Sequence, residues 1–255
     1  MMKQILAVTC LFFVLLGAGR AADSNVTGKQ RIAVTFCAVE PSELAEFVAQ
    51  DGTVVVKEKS EDEVAPRRIK VKIGEGKFEE LPVGRNTVLP FKMVAFKGEV
   101  LEVYGAGGES GDPVKVGEIK VSGGKSAYLV SLVPTGDSKS QWSSFTAQPY
   151  ELPSKRGHQG VVLINTAGDM RIAVQVNDKK TLLRPYGSLV FGTQGVEVTA
   201  AAVDRNKKLA SPFIRKRRVK PPKDNYTCLL FYKANPKFSR KGAKFHMSNL
   251  KLPEL

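Results

Sequence analysis

Histidine is almost missing from this chain of 255 residues, which holds His158 and His246 alone, far apart in sequence. Metal centres and general acid–base sites draw heavily on imidazole, so the composition points to neither. Cysteine is as scarce: Cys10, Cys37 and Cys228. So few thiols make no disulfide framework. Cys37 and Cys228 lie in apolar, strand-like stretches and read as buried free thiols. Long amphipathic helices are also lacking, which argues against layered α/β architectures. One short helix is expected over Pro41 to Ala49, with Ser42 as cap and Leu44, Ala45, Phe47 and Val48 as its apolar face. After the first 21 residues no apolar run approaches the roughly 20 residues of a membrane span.

Sequence signatures of catalysis are wanting too. Gly107-Gly108-Glu109-Ser110-Gly111 lacks the spacing and following helix of a nucleophile elbow, and reads as a hairpin tip. Glycine-rich phosphate loops with Lys and Ser/Thr do not occur. Glu58, Glu61, Asp62 and Glu63 cluster without calcium-loop spacing and read as a solvated loop. No carboxylate pair stands out for glycoside hydrolysis. The sequence therefore suggests no catalytic residue, no metal site and no cofactor.

What is present begins with a leader. Lys3 precedes an apolar run from Ile5 to Leu16, and Gly19 and Ala21 supply small residues at −3 and −1 of a cut after residue 21. That is a secretory signal pattern, and it places the mature chain in the periplasm, cell envelope or extracellular space.

The remaining chain repeats itself. Arg68, Ile69, Val71, Lys77, Pro82 and Gly84 recur as Arg171, Ile172, Val174, Lys180, Pro185 and Gly187, each 103 positions later. Six identities fall in 17 positions, where about one position in twenty would match by chance. Arg31-Ile32-Ala33-Val34 also recurs as Arg171 to Val174, a shorter rival alignment. Both copies read as strand, turn, returning strand and a Pro-x-Gly turn. Asn177 and Asp178 form the first turn of the second copy, where short polar side chains tolerate left-handed backbone.

Period-2 alternation marks further strands. Ile32, Val34, Phe36 and Ala38 share one face, and Thr53 to Lys57 reads as extended. Met93 to Phe96 and Val100 to Tyr104 read as a hairpin, with Val196 to Val203 as counterpart. Val114 to Val121 answers Phe213 to Lys220. Ala127 to Val133 and Tyr226 to Tyr232 are apolar on both faces, as in central strands. The tail from Asn235 to Leu255, with Phe238, Phe245, Met247 and Leu250 among its cations, reads either as a final strand or as a loosely docked segment. The expected fold is all-β, with two tandem related antiparallel β-sandwich modules over residues 31–135 and 159–255. A Ser/Gln/Pro-rich connector at 136–158 carries Trp142, Phe145 and Tyr150 and packs partly across the junction.

Charge separates the two copies. Ala22 to Pro153 holds 16 Lys+Arg against 19 Asp+Glu, whereas Ser154 to Leu255 holds 21 against 6. Six cations crowd one stretch: Arg215, Lys216, Arg217, Arg218, Lys220 and Lys223, with Pro221 and Pro222 stiffening it. In an extended strand about half of them would project together. Lys207, Lys208, Lys237, Arg240, Lys241 and Lys244 would widen the patch. Such a row suits an anionic polymer or an acidic protein surface. Lys and Arg along an edge strand also serve to block sheet-to-sheet aggregation. Specific nucleic-acid recognition is not expected, since no matching motif appears.

Residues Arg68 to Gly84, Gly160 to Gly187, Tyr128 to Val133 and Tyr226 to Tyr232, behind a signal sequence, resemble the uncharacterised secreted β-sandwich proteins of bacteria that carry two tandem repeats. The resemblance implies a fold and an exported location, and assigns no functional residue. The expectation is a non-enzymatic binding or structural protein of the cell envelope whose basic second module meets an anionic partner. A carbohydrate-binding or assembly module using Trp142, Tyr150 or Tyr186 is the second reading. A hydrolase with an unrecognised site is the third.

Overall fold

The computed structural model describes residues 29–39, 45–50, 53–58, 60, 63–105, 112–121, 127–136, 142–153, 159–203, 212–233 and 245–253. The leader, Glu61, Asp62, the Gly107–Gly111 tip, His158 and the six cations expected to widen the basic stretch lie outside the described residues.

Strands dominate. The first half holds β1 (Lys29–Ala38), β2 (Ala45–Gln50), β3 (Thr53–Glu58), β4 (Arg68–Gly74), β5 (Lys77–Arg85), β6 (Lys92–Lys97), β7 (Val100–Gly105), β8 (Val114–Lys120), β9 (Ala127–Pro134) and β10 (Phe145–Leu152). The second holds β11 (Gly160–Asn165), β12 (Arg171–Val176), β13 (Lys179–Leu183), β14 (Ser188–Gly192), β15 (Val196–Val203), β16 (Ile214–Val219), β17 (Tyr226–Lys233) and β18 (Phe245–Lys251).

In the first half the sheet runs β5-β4-β7-β8-β10-β9-β1, and β1 pairs back onto β5, closing a ring of seven strands. The outer edge of β1 is shared: Lys29 to Val34 pairs with β6, and Phe36 to Ala38 with β5. The ring encloses Ile32, Val34, Phe36, Ile69, Val71 and Leu101 among other buried residues. The second half forms two four-stranded sheets, β14-β11-β17-β18 and β13-β12-β15-β16. They enclose a cluster that includes Leu163, Ile172, Val198, Leu229 and Phe231.

A third cluster joins the halves. Cys37, Leu129, Tyr150 and Leu152 from β1, β9 and β10 pack against Val162, Ile164, Cys228 and Leu230 from β11 and β17. Alternation explains how. In β17, Leu229 and Phe231 face the core of the second half, while Cys228 and Leu230 face the first half. Both faces of β11 and β17 are therefore buried, which is why their sequences read as unbroken apolar runs around a parallel pairing. The equivalent pair β1 and β9 is also parallel, and is buried through most of its length.

Several expectations are corrected. Of the helix expected over Pro41 to Ala49, residues 41–44 lie outside the described residues, and the described part does not form it, because Ala45–Gln50 is a strand paired with Thr53–Glu58. The two residues between them, Asp51-Gly52, are a strong tight-hairpin signal that outweighs the helical spacing. Met93 to Tyr104 is no hairpin: β6 joins β1, and β7 lies between β4 and β8. Pro82 and Gly84 bracket no turn, since β5 runs on to Arg85 and pairs with β1 there. The corresponding Pro185-Tyr186-Gly187 does turn, with Tyr186 at positive φ and the Gly187 N–H donating to the Arg184 carbonyl at 2.9 Å. Phe145–Leu152, assigned to the connector, is strand β10 of the ring. The gapless match of Arg68–Gly84 to Arg171–Gly187 also conceals a slip. Ile69 faces Leu81, but Ile172 faces Leu183 where the offset would place Arg184. The bulge at Ile73, between Lys72 and Gly74, absorbs the extra residue.

Close backbone approach marks one contact of the closed ring. Val103 on β7 faces Gly117 on β8, beside a bulge. Val198 on β15 faces Arg217 on β16, also beside a bulge. Gly117 lets β10 pair directly with β8 at Ala147. A Cβ at residue 117 would sit 2.5 Å from the Ala147 carbonyl oxygen. On β16 the residue paired with Val198 is Arg217, and among the described residues β16 ends its sheet. Gly117→Ala is therefore expected to destabilise the fold by about 1–3 kcal/mol, the usual cost of overpacking. Gly192→Ala, whose Cβ would meet nothing within 4 Å, is the matched control. Urea unfolding of the two variants checks this.

Candidate functional site

The basic stretch folds as β16 and the turn after it. Arg215, Lys216, Arg217, Arg218, Lys220 and Lys223 are all exposed. β16 pairs with β15 alone, through Val196–Val219, Glu197–Arg218, Val198–Arg217 and Ala200–Ile214. Arg215 and Lys216 thus both stand opposite Thr199, as the two residues of a bulge. Lys216 takes a positive φ of 41° and its N–H donates to the Thr199 hydroxyl at 3.3 Å.

Alternation from the inward Ile214 and Val219 places Arg215, Arg218 and Lys220 on the outer face. Arg217 shares the inward side with Val198, at the rim. Pro221 is buried, its carbonyl accepting from the Gln159 amide at 2.7 Å. Lys223 sits on the turn beyond, next to Asp224 at positive φ. Five of the cations thus follow one edge and Lys223 stands apart on the turn. Among the described residues, the ion pair formed by this stretch is Arg218 with Glu197, at 4.0 Å.

The outer face of the ring differs sharply. Lys72 and Lys115 reach Glu102 at 3.0 and 2.8 Å, Lys115 also reaches Glu118 at 3.3 Å, and Arg68 holds Glu80 at 2.8 Å. Hydrogen bonds from Lys115 and then Lys72 hold the Glu102 carboxyl down at about 2, against 4.5 ordinarily. Lys72 and Lys115 are raised in return, chiefly by their bonds to Glu102. These groups line a shallow groove with Gly74, Glu75, Lys97 and Val100. A general acid needs a carboxyl held protonated near neutrality, and Glu102 is held ionised.

Remaining candidates resolve into packing. Trp142 lies in the ring core and Tyr150 in the cluster between the halves, each about 95% or more buried. Neither presents a ring to a ligand. Tyr186 is 40% exposed. His246 is exposed and stacks on Tyr232, ring centres 5.8 Å apart. No group of three or more His, Cys, Asp or Glu among the described residues could hold a metal. Cys37 and Cys228 are free and fully buried. Burial pushes the Cys37 thiol up to about 12 and raises Cys228 further, with Cys37 adding to that rise. The bulge partner Thr199 was invisible in the sequence, because its proximity to Arg215 depends on strand register.

No protein-family model matches the chain, and no curated protein is significantly similar to it.

Two expectations follow from these groups. A protonated, buried thiol is a poor nucleophile, so iodoacetamide should leave Cys37 and Cys228 unlabelled in the folded protein at mildly alkaline pH and label both in urea. Mass spectrometry reads this directly. Glu102 has a depressed folded value, so its contribution is present above about 4.5 and lost as pH falls through about 2. The network is solvent-exposed, so Glu102→Gln should cost about 1 kcal/mol or less near neutral pH. The variant should also lose less stability than the parent across that acid window, as urea midpoints would show.

Proposed function

We propose that the protein is an exported, non-enzymatic binding protein of the cell envelope whose basic second half engages an anionic polymer along β16. The carrying observation is the run of four consecutive exposed cations on an open sheet edge, with one acid at 4.0 Å. Cations Arg68, Lys72 and Lys115 of the ring are held in cross-strand ion pairs, whereas β16 carries four exposed cations in a row.

Two tandem related modules remain our reading of the organisation. In each half the first strand pairs antiparallel with a later one and parallel with another: β1 with β6 and β9, β11 with β14 and β17. β4, β5, β7 and β8 pair as β12, β13, β15 and β16 do. The copies then diverged in closure, as a ring in one and open, sandwich-like sheets in the other.

Binding by phosphate, sulfate or carboxylate groups would release counterions and fall steeply with salt. The test is retention on a sulfated glycan, on nucleic acid and on anionic vesicles across a salt series. The parent should be retained at low salt and lose affinity steeply as salt rises. Replacing Arg215, Lys216, Arg217 and Arg218 with Gln should lower the slope of log affinity against log salt by roughly one per lost contact. No retention on any surface at low salt, or an unaltered slope in the variant, would overturn the reading and leave edge protection as the role of these cations.

A further inference from the structure

The cations of β16 do not stand alone on their sheet. Strand register places Lys180 of β13 opposite Gln175 of β12, and Gln175 opposite Thr199 of β15. Thr199 in turn faces the Arg215–Lys216 bulge. Val174 and Val176 flank Gln175 and are buried in the core, as Val198 and Ala200 are on either side of Thr199. The intervening residues therefore lie on the outer face. Lys180 and Gln175 are exposed and Thr199 is half-buried. The result is a straight row across four strands, cation, amide, hydroxyl and cation. Three strand spacings make it about 14 Å long. Ala173 and Ala201 pair beside it, too small to obstruct that flank, and Leu182 follows at 43% exposure.

We propose that this row is a binding lane for a linear glycan bearing carboxylate or sulfate groups, laid across the strands. The inference rests on the anionic-polymer reading of β16 and narrows its ligand. Cations at both ends suit acidic groups separated along a chain. Charge alone would not call for the middle of the row. Gln175 offers donors and an acceptor, and Thr199 a hydroxyl, which match the hydroxyls between the acidic groups of a sugar polymer. The Gln175 amide is held by its bond to the Asn177 carbonyl at 3.0 Å, and Thr199 by the Lys216 N–H. Both are thus oriented before a ligand arrives, which lowers the entropy cost of binding. A polyphosphate chain carries no hydroxyls, and so leaves the acceptor oxygens of the amide and hydroxyl unused. On the ring, the outer face at the equivalent strands carries the Lys72–Glu102–Lys115 network instead and lacks any such lane.

The test is calorimetric titration of the full chain with a sulfated or uronate hexasaccharide, and with inorganic polyphosphate as a probe of charge without hydroxyls. Gln175→Ala and Lys180→Gln should each weaken hexasaccharide binding about tenfold, the scale of one good hydrogen bond or charge contact. Gln175→Ala should leave polyphosphate binding unchanged. Thr199→Val should behave as Gln175→Ala, and Thr199→Ser should recover. Gln175 is exposed, so its variant is informative even if Thr199→Val loosens the bulge. If Arg215→Gln with Arg218→Gln weakens the glycan while Gln175 and Lys180 variants do not, the lane is wrong and the β16 reading survives. If Gln175→Ala weakens both ligands equally, the glycan assignment is wrong. If none of the variants alters binding, the reading of β16 falls as well.

Discussion

The whole arrangement depends on two pairs of strands that are buried on both faces. β1 with β9, and β11 with β17, each present one row of side chains to their own half and another to the opposite half. Strands with no wet face gain the hydrophobic term twice. They leave no polar side from which the halves might separate without exposing Leu129, Ile164 and Leu230 to water. Tyr150 adds a hydroxyl that reaches the Asn165 carbonyl at 3.5 Å. Asn165, fully buried, spends its amide on the Met170 and Arg184 carbonyls and accepts from the Ala167 N–H, tying the loop after β11 to the turn before β14. The thiols of Cys37 and Cys228 lie in this same shared layer, which accounts for their inertness.

Against that common base, the two halves differ in how their edges end. Gly117 permits the close approach of β8 and β10 in the closed ring, whereas β16 ends its sheet among the described residues. The bulge, the left-handed Lys216 and the inward-side Arg217 all discourage another strand from adding to β16. An edge so defended interacts through side chains and not through its backbone.

Much of the strand order could be read from the sequence. Alternation located β1, β4 and β12, and apolar continuity located β9 and β17, because burial on one or both faces leaves those marks directly. Asn177 was identifiable as a left-handed turn residue for the same local reason, and its φ is 52°. The failures are non-local. Phe47 and Val48 satisfy a helical spacing until Asp51-Gly52 and the valines of β3 are considered together. Phe145 to Leu152 looks like a linker by composition, yet its alternate residues serve two different cores, Ala147 one and Tyr150 the other. Ile73 was hidden inside a gapless match because a bulge alters pairing without altering length in the sequence. For the site, the cluster of cations was plain as a run of letters. Lys180, Gln175 and Thr199 were not, since strands bring them into one row over separations that no periodicity encodes.

The parallel pairings carry a consequence for the order of assembly. Ala33 meets Ala127, and Gly160 meets Tyr226. The first strand of each half can pair early with β6 or β14, but its parallel neighbour arrives only near the end of that half. Hairpins such as β4–β5 and β12–β13 close locally and can form at once. β1 and β11 complete their parallel edge only when β9 and β17 are in place. Such long-range closures are intrinsically slow. A chain built this way completes its doubly buried strand pairs only when its late strands arrive.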